Sequence, residues 1–174
     1  MATLITLFVF TALTLVALRM YTHLAVHERR VIASWDRLDT LLTQRNGELT
    51  QLRRLVTPRV PVLERLHQAI QRQETARRRG DLSTLAESER QIRDLWDDVL
   101  SQQADLIENR AEKPVAARVH ALDLAIADRL TAYNAAVSAT TSLRSRPFFA
   151  VLAGIGGHTR FQPIQPPAWP GDPR

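Results

Sequence analysis

No cysteine occurs anywhere in the chain, which excludes a disulfide scaffold, thiolate metal sites and cysteine nucleophiles. Glycine is scarce as well, and six in 174 residues are too few for a loop-rich β protein. Lysine is confined to Lys113, so the formal charge of +5 is carried almost wholly by arginine. Arginine favours bidentate pairing with carboxylates and phosphates, which suits ion pairs inside a fold or anionic lipid outside it. Nucleic acid is not expected as a partner, because acidic and basic residues are interspersed rather than gathered on one stripe with aromatics between them. Charge is absent from Met1 to Leu18, and neither glycine nor proline interrupts the chain between Met1 and Asn46.

An uncharged run of about eighteen residues is about 27 Å long as a helix, enough to cross the hydrocarbon core of a bilayer. Arg19 follows it and can snorkel to the interface. A cleaved signal peptide would carry basic residues ahead of the run and a small-x-small cleavage site, and neither is convincing here. Residues 1–22 are therefore expected to be a retained transmembrane anchor. Arg19, Arg29, Arg30 and Arg37 all lie on its carboxyl side, so the positive-inside rule places the amino terminus outside and the rest of the chain in the cytoplasm, the alternative being a periplasmic bundle.

Past the anchor, "VIASWDRLDTLLTQRNGELTQLRRLV" repeats with a heptad period through Val31, Trp35, Leu38, Leu42, Arg45, Leu49, Leu52 and Val56, broken only by Arg45. The break "VTPRVPVLERL" predicts a second helix over 58–79, with Thr57 as N-cap and Pro58 and Pro61 in the first turn. "RRRGD" closes it, with Arg77, Arg78 and Arg79 at the negative end of the dipole and Gly80 as left-handed cap. A third helix presents Leu85, Glu89, Ile92, Trp96, Val99, Gln103 and Leu106 on one face and ends near "NRAEKP". Pro114 opens a fourth, with Val115, Val119, Leu122, Ile126, Leu130, Tyr133 and Val137 on its seam, stopping before Pro147. An apolar patch and a proline-rich tail, unstructured over its last dozen residues, complete the chain.

These elements predict an all-α protein: an N-terminal transmembrane helix followed by an antiparallel up-down bundle of long helices, four of them, or three if the break at Pro58 and Pro61 is only a kink. The domain organisation is an anchor over 1–22, a cytoplasmic helical bundle over 23–146 and the apolar patch with its tail over 147–174.

Tyr21, Val31, Trp35, Asp39, Leu42, Arg45, Leu49 and Leu52, with Ile126, the pair Tyr133–Asn134 and Val137, resemble the LemA family of bacterial membrane proteins. The similarity runs from the anchor to Phe161. It departs from the family pattern at Thr50, where a proline is usual, at "QQADLIEN" in place of a Tyr-Pro turn, at Thr140 and Thr141 in place of a second Tyr-Asn, and at Arg146–Pro147 in place of Phe-Pro. The resemblance implies a single-pass protein of the bacterial inner membrane with an antiparallel bundle of long helices and no established enzymatic activity. Some relatives are linked to biogenesis of bacterial membrane organelles, which implies a scaffold or membrane-organising role.

Catalytic chemistry finds little purchase. His23 and His27 lie one turn apart beside Glu28 but have no third ligand nearby in sequence. His67, His120 and His158 are isolated, and "GIGG" at 154–157 lacks the strand before and the lysine after that a phosphate loop needs. Glu87, Glu89, Asp94, Asp97 and Asp98 read as a solvated acidic face offset by Arg90 and Arg93.

The expected function is a membrane-anchored structural or interaction scaffold with no catalysis, cofactor, metal or small-molecule substrate. Its partners are the membrane and a protein partner or a second copy of itself. The alternative is an anionic-lipid or membrane-remodelling module touching the bilayer through Arg29, Arg30, Phe148, Phe149, Val151 and Leu152. Structural or interaction residues are Trp35, Asp39, Arg45, Trp96, Asp123, Tyr133 and Asn134. Trp35 and Trp96 should be buried, and Arg45 should meet Asp123, with Tyr133 or Asn134 as fallback partners, because an unpaired charge in a core costs several kcal/mol.

Overall fold

The computed structural model describes residues 1–55, 61–102, 113–155 and 161–165. All secondary structure among them is helical: α1 (Ala2–Leu55), α2 (Pro61–Arg79), α3 (Leu82–Gln102), α4 (Lys113–Arg144) and α5 (Pro147–Ile155). Val56, Thr57 and Pro58, and the turn after α3 with Gln103 and Leu106, lie outside the described residues.

The long run without glycine or proline becomes one helix of 54 residues, and Gly47 is accommodated within it. At its amino-terminal end α1 is long and apolar enough to cross a membrane, and none of that window is buried. Thr6, Thr11 and Thr14 turn their hydroxyls back onto the carbonyls of Ala2, Leu7 and Phe10 at 2.9–3.0 Å, which satisfies these donors within the helix.

Two compact units share the chain. One is Met1–Asp36 with Ala132–Pro163. In it α1 and α4 run antiparallel: Leu24 and Leu143 form a buried pair with Phe149 against it, and Arg144 approaches Glu28 at 3.9 Å. The Trp35 and Tyr133 rings meet at 5.8 Å, tilted by 59°.

The other unit is Arg37–Thr131 with the segment from Ile164. Here the direction of each helix is read from its pairings. Arg77 meets Asp39 at 2.9 Å while Glu64 meets Arg53 at 3.5 Å, so α2 runs antiparallel to α1 and the break before Pro61 is a reversal. α3 in turn packs antiparallel to α2, with Glu87 facing Arg72, and α4 antiparallel to α1, with Arg118 on Glu48 at 2.8 Å. The result is an up-down four-helix bundle whose core joins Leu49, Leu52, Leu66, Ile92, Trp96 and Val119.

The turn between α2 and α3 follows from its residues. Gly80 takes φ 69, while Asp81 N–H donates to Ala76 O and Gly80 N–H to Arg77 O, the Schellman arrangement. Asp81 then caps α3, accepting from the Thr84 backbone N–H at 3.0 Å and from the Ser83 and Thr84 hydroxyls. Those hydrogen bonds, led by the one from the Thr84 backbone, hold the Asp81 carboxyl at about 2.

Trp35 is only half-buried, against expectation, whereas Trp96 is 5% exposed. α4 stops before Pro147, and Pro147 begins a further helix in the apolar patch. Ile164, assigned from sequence to the unstructured tail, is 4% exposed among Leu38, Leu42, Leu85, Ile126 and Leu130.

Replacing Trp96 with alanine should therefore cost about 3–5 kcal/mol through lost burial and the cavity left behind. The same change at Trp35 should cost less than half as much, because water already reaches its ring. Urea titration of the full chain in detergent, followed by circular dichroism, measures both, and equal costs would contradict the packing described.

Candidate functional site

The most concentrated chemistry among the described residues is a closed polar ring inside the four-helix unit. α1 contributes Arg45 and Asn46, α2 Gln73 and α3 Glu89, and none is more than 6% exposed. Each sits where its helix turns its seam inward, among buried apolar residues about one turn away, so the same periodicity that builds the core delivers these polar groups to its middle. Arg45 grips Glu89 with both terminal nitrogens, Nη1 to Oε2 and Nη2 to Oε1, each at 2.7 Å. This is the two-bond fork that guanidinium and carboxylate geometry favours. Gln73 Nε2 donates to Glu89 Oε1, Asn46 Nδ2 donates to Gln73 Oε1 at 2.8 Å, and Arg45 Nη2 reaches Asn46 Oδ1 at 3.4 Å, which closes the ring.

Asp123 on α4 is the outer member. Its Oδ1 lies 3.4 Å from Arg45 Nη1, with the side chain 18% exposed. The sequence expectation that Arg45 meets Asp123 therefore holds, but the tight partner is Glu89. The sequence pattern groups Glu89 with the solvated carboxylates, but in the structure Glu87, Asp94 and Asp97 are exposed whereas Glu89 is buried and points inward. Its position between Leu85 and Ile92 on the heptad face was the signal.

The charges bear on one another unequally. Burial works to lower the Arg45 pKa, but the Glu89 carboxylate outweighs it, with Asp123 adding to the effect, and the guanidinium is held above its ordinary value. Asp123 goes the other way for a carboxyl: burial pushes it up, and Arg45 and Arg93 only partly pull it back. Burial likewise pushes the Arg93 guanidinium down. Glu89 is thus the counterion that balances Arg45, while Asp123 is half-compensated at the rim.

A second clamp lies on the surface of this unit. Arg77 Nη1 donates to the Asp39 carbonyl at 2.8 Å and to Thr43 Oγ1 at 2.6 Å, besides its pairing with the Asp39 carboxylate. The arginine triplet thus does more than face the negative end of α2, since one member staples that end to α1. In the other unit the phenol of Tyr133 donates to Gln162 O at 3.0 Å, so it is not a partner of Arg45. Burial raises the Tyr133 pKa. Asn134 is partly buried beside it in sequence.

Small cavities open within the four-helix unit. The cavity beside Arg45, Arg93, Trp96 and Asp123 measures about 10 Å³, and the one under Ile164 about 20 Å³. Each suits about one water molecule. His23 and His27 stack with ring centroids 5.0 Å apart, and partial burial, followed by His23 and Arg30, lowers the His27 pKa. Among the described residues no three of His, Cys, Asp and Glu gather to hold a metal ion. Of "GIGG", Gly154 and Ile155 close α5, and the last two glycines and His158 lie outside the described residues.

Glu89→Gln should cost about 3–5 kcal/mol, because it leaves a buried guanidinium without its balancing charge, whereas replacing the pair together by Arg45→Met and Glu89→Leu should cost far less. Asp123→Asn should be close to neutral at pH 7. The sign follows from linkage: a carboxyl whose folded pKa is raised favours folding while protonated and loses that contribution as pH rises through the folded value. The Asp123→Asn variant should thus gain on the parent between pH 4 and pH 7, and denaturant titrations at both pH values measure it. A parent that gains instead would show that Asp123 is a full counterion of Arg45.

The comparisons with known proteins leave this chemistry to speak for itself: no family model, curated protein or solved structure matches the chain.

Proposed function

We propose that the protein is a single-pass, membrane-anchored helical bundle that acts as a structural or interaction scaffold at a bacterial inner membrane, with its bundle in the cytoplasm and no catalysis of its own. The observation that carries this reading lies within one unit. The same α1 that is fully exposed and apolar through Leu18 packs on α4 from Leu24 onward, so folded protein begins about 9 Å past the apolar stretch with no linker between.

The arginines that follow the span support the cytoplasmic orientation. The pattern shared with the LemA family, including Trp35, Asp39, Arg45, Tyr133 and Asn134, supports membership of that family as part of the same proposal. In the structure the Trp35 ring meets that of Tyr133 at a tilt and Arg45 anchors the buried polar ring, so both ends of the shared pattern serve packing.

The full chain should stay with membranes through an alkaline carbonate wash, and removal of residues 2–18 should release it. A carboxyl-terminal alkaline phosphatase fusion should be inactive and a fluorescent-protein fusion bright. Release of the full chain by carbonate would overturn the anchor, and an active phosphatase would reverse the orientation. In-cell crosslinking from the exposed face of α3 at Glu87 should recover a defined envelope protein or a second copy of the chain. Recovery of lipid alone would remove the scaffold reading.

A further inference from the structure

α5 reads "PFFAVLAGI", with no polar side chain in nine residues. Such a helix normally hides in a core, yet Phe148 is 75% exposed, and Pro147, Ala150 and Gly154 are exposed too. Its position is fixed from the other side. Phe149 lies against Leu24 and Leu143, with its ring 6.2 Å from that of His23. His23 is five residues beyond Leu18, the last residue of the uncharged run, which is about 8 Å along the helix.

From these placements we infer that α5 is a second membrane contact, a short helix lying in the headgroup region of the leaflet that the span leaves at its carboxyl end, with Phe148 turned into the lipid. This deepens the proposed function and rests on its anchoring reading. Length decides between dipping and spanning: nine residues make about 13 Å of helix, less than half of a hydrocarbon core of about 30 Å. The headgroup layer lies at the distance from Leu18 where Phe149 is found, and interfacial helices bury their apolar face about 5–10 Å into that boundary. Charge agrees with the assignment. Arg19, Arg29, Arg30 and Arg146 of the same unit are exposed, and arginines beside a membrane favour anionic phospholipid over a neutral surface. A protein partner is less well served, since the exposed apolar area is one short helix close past the carboxyl end of the apolar stretch.

The absence of cysteine makes the test direct, because any introduced cysteine is the only one. Phe8→Cys, Phe148→Cys, Ala150→Cys and Glu87→Cys are each spin-labelled in the full chain and reconstituted in vesicles of mixed zwitterionic and anionic phospholipid. Collision with oxygen is compared with collision with a water-soluble nickel chelate. Phe8 should strongly favour oxygen, and Glu87 should favour nickel. Phe148 should favour oxygen, inverting the ratio found at Glu87, and Ala150 should share that preference to a smaller degree. A water-like Phe148 beside an embedded Phe8 overturns the inference and leaves the anchor standing. A water-like Phe8 overturns the anchor and this inference together. Protection of Phe148 from both reagents means that protein covers it, which also overturns the inference.

Discussion

The four-helix unit depends on the fork between Arg45 and Glu89. A guanidinium in an apolar core is tolerable only if a carboxylate takes both of its outer nitrogens and the remaining lone pairs find donors, and here Gln73 supplies the further donor while Asn46 steadies both. An apolar core of the same shape would be at least as stable. What the ring adds is register. Leu38, Leu42, Leu49 and Leu52 would pack almost equally well after a slip of one heptad, but such a slip would set Arg45 against apolar side chains and strand Glu89 seven residues away. The pairing couples α1 to α3 directly and to α2 through Gln73 and Asn46, so one charge constrains three helices at once.

Heptad periodicity made most of this fold legible in sequence. Val31, Leu38, Leu42, Leu49 and Leu52 on α1, Leu85, Ile92, Trp96 and Val99 on α3, and Val115, Val119, Ile126, Leu130 and Val137 on α4 are all buried where the repeat puts them. Leu122, on the same seam, is only partly buried. Gly80 could be read from its place after three arginines, since few residues other than glycine accept a positive φ there.

The polar ring was half legible, and the reason is physical. Arg45 stood out as a charge on a leucine seam, and one expected partner, Asp123, is within reach. Glu89 did not stand out because its sequence neighbours are other carboxylates, and composition hides what periodicity reveals. Gln73 and Asn46 carry no charge to betray them, and an uncharged amide is as common on a surface as in a network. Trp35 was overestimated for a different reason. A seam position guarantees burial only where helices flank it on several sides, and within its own unit α1 at Trp35 has α4 and Tyr133 as its cover. The sequence pattern specifies the face of a helix but not how many neighbours that face will find.

The two ends of α1 show the same solvent physics with opposite signs. At Arg45 a charge stays in a core because every strong hydrogen-bonding need but that of Nε is met by protein. At Phe8, Phe10 and Leu13 large apolar side chains stay fully outside any core, each 64% exposed or more, and water would penalise each by roughly 1.5–3 kcal/mol. Summed over the stretch, that penalty rivals the whole stability of a typical domain. A helix that leaves such surface uncovered and yet turns into a closely packed pair at Leu24 is apolar enough to cross a membrane on one side of that point and is packed protein on the other. Under the proposed anchoring, the histidine pair and the arginines just past Leu18 fall at the boundary, where amphipathic and cationic side chains are best solvated. On that reading the absence of glycine and proline before Asn46 acquires a purpose: an unbroken helix would carry the position of the bilayer straight into the packed pair, and the contact proposed for α5 would meet the same surface from the neighbouring helix.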